Sequence, residues 1–223
     1  TVKGPQRLQN QDAYLVEKRD GYVFFAIADG VGGLANGDKA SSLAISTVKT
    51  ELQQDNFDLE NIIKKAHESI RQEAERNQQA MATTIVLCRI EQDTGEVTIA
   101  HVGDSRAYLM NVGCWRTKDH SPVQDLMDLG ILTEEDAFGH PELHRMTQAL
   151  GIKDTISIDC STTTMQQGTI LLCSDGLHNY LRDKEIQEIA TKNPLEKAID
   201  LLMKKARKNG STDDITIIVI RLQ

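Results

Sequence analysis

The sequence predicts an α+β fold in which antiparallel strands are covered by amphipathic helices. Three observations carry this. The opening third runs strand, strand, helix, helix. The strands that follow are joined by turns too short for parallel crossovers. The helical segments pair one apolar face with one charged face.

In chain order, Asp12 to Lys18 and Tyr22 to Ala28 are apolar runs separated by Arg19-Asp20-Gly21, a hairpin turn signal. Gly37 to Gln54 has helical spacing, with Ala40, Leu43, Ala44, Val48 and Leu52 on one face. A second helix follows Asp58, a good N-cap, and turns Ile62, Ile63, Ala66, Ile70 and Ala74 inward. Thr83 to Glu91, Glu96 to Val102 and Arg106 to Asn111 read as a meander, with turns at Asp93-Thr94-Gly95 and Gly103-Asp104. Residues 121–150 break the rhythm and resemble an inserted flap. Ser121-Pro122-Val123-Gln124 is a capping box with Pro at the first helical position, Gly130 is a helix stop, and Thr133 starts a short second helix. Two strands (Ile156 to Cys160, Thr169 to Cys173) and two helices (about 181–191 and 194–208) follow. The last strand, Ile215 to Leu222, is almost wholly apolar and is therefore expected at the centre of a sheet. With no repeat or linker, residues 1–223 are expected to form one domain, with a flap subdomain at about 121–155.

The 223 residues are 39% apolar and 26% charged, enough for a sizeable core. A net charge of −8 argues against nucleic acid as a partner. No run approaches the ~18 apolar residues of a membrane span, and no basic segment precedes an apolar one as in a secretion signal. The chain begins at Thr1 rather than Met, so an initiator residue is expected to be missing. Cys88, Cys114, Cys160 and Cys173 lie far apart, and Cys88 and Cys173 sit in apolar runs. That usage fits a reducing cytoplasm better than a disulfide framework or a zinc site.

The chemistry rests on aspartates at strand ends. Asp12 opens AYLV, Asp29 closes FFAIA, Asp104 closes TIAHVG, Asp175 closes TILLCS, and Asp213-Asp214 opens ITIIVI. Any one of them alone reads as a turn residue. If the strand ends meet at one edge of a stacked pair of sheets, five carboxylates converge, and they cannot all stay ionised without a cation. Oxygen donors with no accompanying Cys or His select a hard ion, Mg²⁺ or Mn²⁺. Gly30-Val31-Gly32-Gly33-Leu34-Ala35 matches a dinucleotide fingerprint, but two helices follow where a βα unit is needed, and Asp29 would repel a pyrophosphate. The glycines instead let backbone approach a metal ion closely.

The same residues form a series that resembles the metal-dependent type 2C protein Ser/Thr phosphatases in their short bacterial form. The pieces are Arg7-x-x-Asn10-Gln11-Asp12-Ala13, Ala28-Asp29-Gly30-Val31-Gly32-Gly33, Ala82-Thr83-Thr84, His101-Val102-Gly103-Asp104-Ser105-Arg106, Asp119-His120-Ser121, Cys173-Ser174-Asp175-Gly176-Leu177 and Gly210-Ser211-Thr212-Asp213-Asp214-Ile215-Thr216. They span nearly the whole chain in the family's order. The resemblance implies a four-layer α-β-β-α sandwich of two stacked antiparallel sheets. It implies that Asp29 bridges two metals, that the Gly30 carbonyl binds one, and that Asp175 and Asp213 complete the other. Asp12 would hold metal-bound water, Asp104 with Asp175 would take a third, weaker ion, and Arg7 would grip the substrate phosphate. In the family, a bridging water attacks phosphorus directly, without a phosphoenzyme. Expected partners are phosphorylated proteins and an opposing Ser/Thr kinase, with the chain a monomer.

Three departures from the wider family stand out. Val31 occupies the place of a His proposed as general acid in many eukaryotic members, Gln11 that of a frequent acid, and Asp214 that of a commoner Asn; Asp213 is taken as the ligand. His140 and His144 have i, i+4 spacing, but Pro141 sets His140 outside a helix and no third ligand is evident, so zinc is not expected there. His144, in the flap, is the candidate proton donor or substrate contact; as a plain alternative it is a surface histidine. His120 is expected to order the strand-to-flap junction. Besides the active enzyme, a phosphoprotein-binding module and a regulatory phosphatase dedicated to one partner remain as readings.

Overall fold

The computed structural model describes residues 1–31, 36–55 and 57–223. Strict alternation along each strand divides the side chains between separate cores, and this division builds the layers. On β2 (Tyr22–Asp29), Phe24, Ala26 and Ala28 face one core while Phe25 and Ile27 face another. β3 (Ile85–Glu91) repeats the pattern, with Ile85 and Leu87 against Val86, Cys88 and Ile90. The first core lies between this sheet and helices α1 (Gly37–Gln53) and α2 (Leu59–Asn77), whose Ala44, Val48, Ile62 and Ile70 are fully buried. Asp58 caps α2 through the backbone N–H groups of Glu60 and Asn61.

The second core is the contact between two sheets. One sheet has the order β1-β2-β3-β4-β7, with β1 Asp12–Arg19, β4 Glu96–Val102 and β7 Asp159–Thr164. The other has the order β6-β5-β8-β9, with β5 Arg106–Met110, β6 Cys114–Arg116, β8 Gly168–Cys173 and β9 Ile217–Leu222. All pairings are antiparallel. Phe25, Ile27 and Val86 meet Ala107, Ile170, Leu172 and Ile218 across the interface. A third core packs β8 and β9 against α5 (Asp175–His178), α6 (Asp183–Lys192) and α7 (Leu195–Lys208), through Leu171, Leu177, Ile186 and Leu202. Two stacked antiparallel sheets flanked by helices, the expected α+β sandwich, result.

Three local expectations change. The meander is broken: β3 and β4 form a hairpin, but Gly103-Asp104-Ser105 carries the chain from one sheet into the other, so β4 and β5 do not pair. Gly103 makes the crossing at φ +103°, where a Cβ would stand 2.7 Å from the Thr84 side chain. The expected strand at 156–160 forms instead over Asp159–Thr164, exposed throughout, while Ile156 and Ile158 pack into the helical core. β9 is an edge strand rather than a central one. Its apolar character comes from burial on both faces, against the facing sheet by Ile218 and against the helical layer by Ile217, and not from strands on both sides.

The flap begins with α3 (Pro122–Asp128), capped by Ser121 Oγ accepting from Gln124 N–H, and α4 (Glu134–Ala137), closed by a capping box between Thr133 and Asp136. Its two roots meet at His120, whose N–H donates to the Gly103 carbonyl and whose carbonyl accepts from Thr147 N–H. A buried ion network fixes the flap to the second sheet. Arg106 on β5 grips Asp119 with two parallel bonds of 2.7 and 2.6 Å, and its third nitrogen reaches Asp183 on α6 at 3.2 Å. Arg116 and the Tyr108 hydroxyl complete the shell of Asp183. No helix among the described residues is long and apolar enough to cross a membrane.

Candidate metal centre

Antiparallel register sets Asp12, first in β1, directly opposite Asp29, last in β2. The pair reaches the other sheet through Ser174, which follows β8: its hydroxyl donates to Asp12 Oδ2 at 2.8 Å and accepts from Thr216 N–H at 2.9 Å. Asp175 is the next residue and opens α5, Asp104 stands in the crossover between the sheets, and Asp213 lies just ahead of β9. Five strand ends from both sheets thus deliver carboxylates to one cleft.

The carboxylates oppose one another electrostatically. Burial, then the charges of Asp12, Asp175, Asp104 and Asp213, pushes Asp29 well above the usual carboxylate range. Burial and then Asp104, Asp213 and Asp12 do the same to Asp175. Asp104 rises to about 7 and Asp12 to about 6, both chiefly through burial. None of these four has an ion-pair partner among the described residues, and the buried Oδ1 of Asp12 has no hydrogen-bond partner there. An orphaned oxygen on one of four destabilised carboxylates is a donor set that fits a hard divalent cation.

Backbone bonds hold the centre in shape. The Asp29 carbonyl accepts from Thr84 N–H at 2.9 Å and from the Thr83 hydroxyl at 2.8 Å. Gly30 N–H donates to the Gln11 carbonyl, and a Cβ at Gly30 would stand 2.4 Å from the Gly37 carbonyl at the start of α1. A side chain there would push the helix off the strand end. Gly32 and Gly33 of the same motif lie outside the described residues.

Residues 19–223 match the family model described as Stage II sporulation protein E (SpoIIE). The chain is 32% identical over 236 residues to serine/threonine phosphatase stp of Listeria monocytogenes, covering 99% of this chain and 93% of the relative. The crystal structure of serine/threonine phosphatase Stp1 from Staphylococcus aureus superposes with a TM-score of 0.88 at 30% identity, over 100% of this chain and 92% of the other. The catalytic domain of the serine threonine protein phosphatase PstP, in complex with 2 manganese ions, has a TM-score of 0.79 at 26% identity, over 100% and 96% of the two chains. The chain belongs to the metal-dependent type 2C (PPM) protein phosphatase family.

The cleft of this phosphatase also holds the remaining expected residues. Arg7 donates to Asp213 Oδ1 at 2.5 Å and to Gln11 Oε1 at 2.9 Å, so the guanidinium lies against the carboxylates. Asp213 and Asp214 have different surroundings. Asp214 is buried, with its two oxygens accepting from Gly4 N–H at 2.7 Å and Gln11 N–H at 2.8 Å, whereas Asp213 remains partly open to solvent. His144 comes in from the flap, its Nδ1 3.2 Å from Asn179 Nδ2. The same amide nitrogen donates to Asp175 Oδ2 at 3.0 Å, so Asn179 joins the flap to the centre. Asn179 lies outside the sequence motifs, although its i, i+4 spacing from Asp175 in a helical turn is a legible signal. Ser174 enters the sequence only as part of the Cys173-to-Leu177 motif, and its grip on Asp12 comes from the sheet-to-sheet approach.

Proposed function

We propose that this phosphatase hydrolyses phosphoserine and phosphothreonine in proteins. In this reading Asp29, the Gly30 carbonyl, Asp175 and Asp213 hold two ions of Mn²⁺ or Mg²⁺, and Asp104 with Asp175 holds a third, weaker one. The observation that carries it is the convergence of five carboxylates from both sheets with an unpartnered buried oxygen on Asp12. The manganese complex of the PstP catalytic domain supports the choice of ion. When bound, the ions supply Lewis-acid polarisation of the phosphoryl group and a water activated at neutral pH.

The chain's own groups account for the rest. Asp12, with Oδ2 fixed by Ser174, keeps Oδ1 free to accept a proton-bearing neighbour inside the centre. Arg7 spends two bonds on Gln11 and Asp213, which leaves guanidinium donors for phosphate oxygens. Asn179 Nδ2 can only donate to His144 Nδ1, so a neutral His144 ring carries its proton on Nε2; to protonate a leaving group from Nε2 the ring must first take a second proton at Nδ1, which gives up this contact. Residues 1–223 are read as one catalytic domain with the flap at 121–155, acting as a monomer against a Ser/Thr kinase. A reducing cytoplasm as its compartment is supported by four free cysteines.

The deciding assay follows an aryl phosphate and a phosphothreonine peptide with Mn²⁺, Mg²⁺ or EDTA. Turnover is expected with metal and is expected to vanish in EDTA and in Asp213→Ala. Asp214→Ala should instead destabilise the fold by about 1–3 kcal/mol per orphaned amide, at Gly4 and Gln11. A folded wild type inactive with both metals would replace the enzyme by a phosphoprotein-binding module.

His144→Gln separates proton donation from substrate contact. General acid catalysis supplies about 10²–10⁴-fold, and a poor leaving group needs it most. The variant should therefore lose about 10²-fold in kcat on the phosphothreonine peptide and far less on the aryl phosphate. Equal losses on both substrates would make His144 a binding contact only.

A further inference from the structure

We infer that His101, His120 and Asp159 form a second metal site, of the transition-metal type, at the root of the flap. One nitrogen of each histidine and a carboxylate oxygen of Asp159 lie within 4.8 Å of one another. The three come from separate segments. His101 on β4 is the register partner of Asp159 on β7, and His120 arrives with the flap junction. The imidazole rings stand 4.9 Å apart, centroid to centroid.

The chemistry differs from that of the carboxylate centre. Two imidazoles and one carboxylate suit Zn²⁺ or a neighbouring first-row ion, whereas an all-oxygen cluster suits Mg²⁺ or Mn²⁺. His101 Nε2 lies 2.7 Å from the Lys118 carbonyl, which can only accept, so the ring proton is on Nε2 and Nδ1 carries the lone pair. That is the outer support a metal-bound histidine normally has. His120 Nε2 is buried, has no hydrogen-bond partner among the described residues, and stands 3.5 Å from Asp159 Oδ1. Burial, then the neighbouring His101, lowers the His120 pKa, which keeps the ring neutral and able to ligate at pH 7. Ligation through Nε2 moves the His120 proton to Nδ1 and gives up its 3.3 Å contact from Gly103 N–H, a long hydrogen bond. This exchange sets the affinity below that of a closed structural zinc site. Asp159 is half exposed, so ions enter from solvent and an outer position stays open to water.

The location gives the site a role. His120 also bonds Gly103, next to Asp104, and Thr147 at the far root of the flap. An ion on these three ligands would clamp β4, β7 and both flap roots together. It would hold the flap at one height over the carboxylate centre.

Co²⁺ titration reports this directly, because a four-coordinate Co²⁺ with nitrogen ligands absorbs visible light far more strongly than a six-coordinate one in oxygen. With excess Mg²⁺ present, wild type and Asp213→Asn should both develop the intense band. Asp159→Asn and His120→Gln should bind Co²⁺ at least about tenfold more weakly. Absence of the band in wild type, its loss in Asp213→Asn, or wild-type affinity in either of the other variants would overturn the site. Asp159 is exposed, so its variant tests the proposal even if His120→Gln does not fold. The band is read without turnover, so its failure leaves the phosphatase reading untouched.

Discussion

Asp29→Asn is expected to lower metal-dependent kcat/KM by about three orders of magnitude and yet to stabilise the metal-free protein at pH 8. The loss follows from removing a carboxylate that faces Asp12 and senses Asp175, Asp104 and Asp213. Lewis-acid stabilisation is worth several kcal/mol, and each 1.4 kcal/mol or so is tenfold in rate. The gain follows from the same crowding. Asp29 is held well above its ordinary value of 3.8, by burial first and then by its neighbours. Between that value and its native pKa the folded chain binds more protons than the unfolded one. Stability in EDTA therefore falls as pH rises through the window. Asp12, raised to about 6, and Asp104, raised to about 7, add to the slope. An amide of the same shape removes one charge from the cluster. The variant should thus melt above wild type in EDTA, by a margin that widens from pH 5 to pH 8. Added Mn²⁺ should raise the melting temperature of wild type alone. A variant less stable than wild type at pH 8 would mean that the carboxylates do not crowd as the geometry requires.

Asp119→Asn should destabilise the fold by about 3 kcal/mol, the lower end of the cost of breaking a buried ion pair, because Arg106 retains Asp183. For a chain of this size that is a fall of about 6–12 °C in Tm. Burial alone would raise the Asp119 carboxyl, but the charge and hydrogen bonds of Arg106, with smaller help from His178 and Arg116, hold it at about 2. With the folded pKa depressed below the ordinary 3.8, the contribution is fully present above about pH 4 and is lost as pH falls toward 2. The stability gap between wild type and variant should therefore close over that interval in denaturant melts. A gap below 1 kcal/mol at pH 7 would mean the pair does not anchor the flap.

Much of this was legible in sequence because its signals are local. Alternation in YVFFAIAD, the helical spacing of Ala40, Ala44 and Val48, and the Asp58 cap depend only on neighbours along the chain. They delivered the strands, the helices and the sandwich class. The aspartates at strand ends were legible too, since a carboxylate closing an apolar run has to face solvent or an ion.

What the tertiary structure alone decided concerns pairing and approach. An apolar strand reports burial on two faces but not which neighbours lie beside it, so β9 took an edge rather than the centre. A two-residue turn between apolar runs reads as a hairpin whether or not the chain changes sheets, which hid the crossing at Gly103-Asp104. The bonds of Asp214 to Gly4 and Gln11, the grip of Ser174 on Asp12, and the meeting of His101, His120 and Asp159 join residues far apart in sequence. By itself the sequence marked which groups are candidates for the chemistry. Their partners were decided by how two sheets stack, because hydrogen bonds and charge act over a few ångströms of space regardless of distance along the chain.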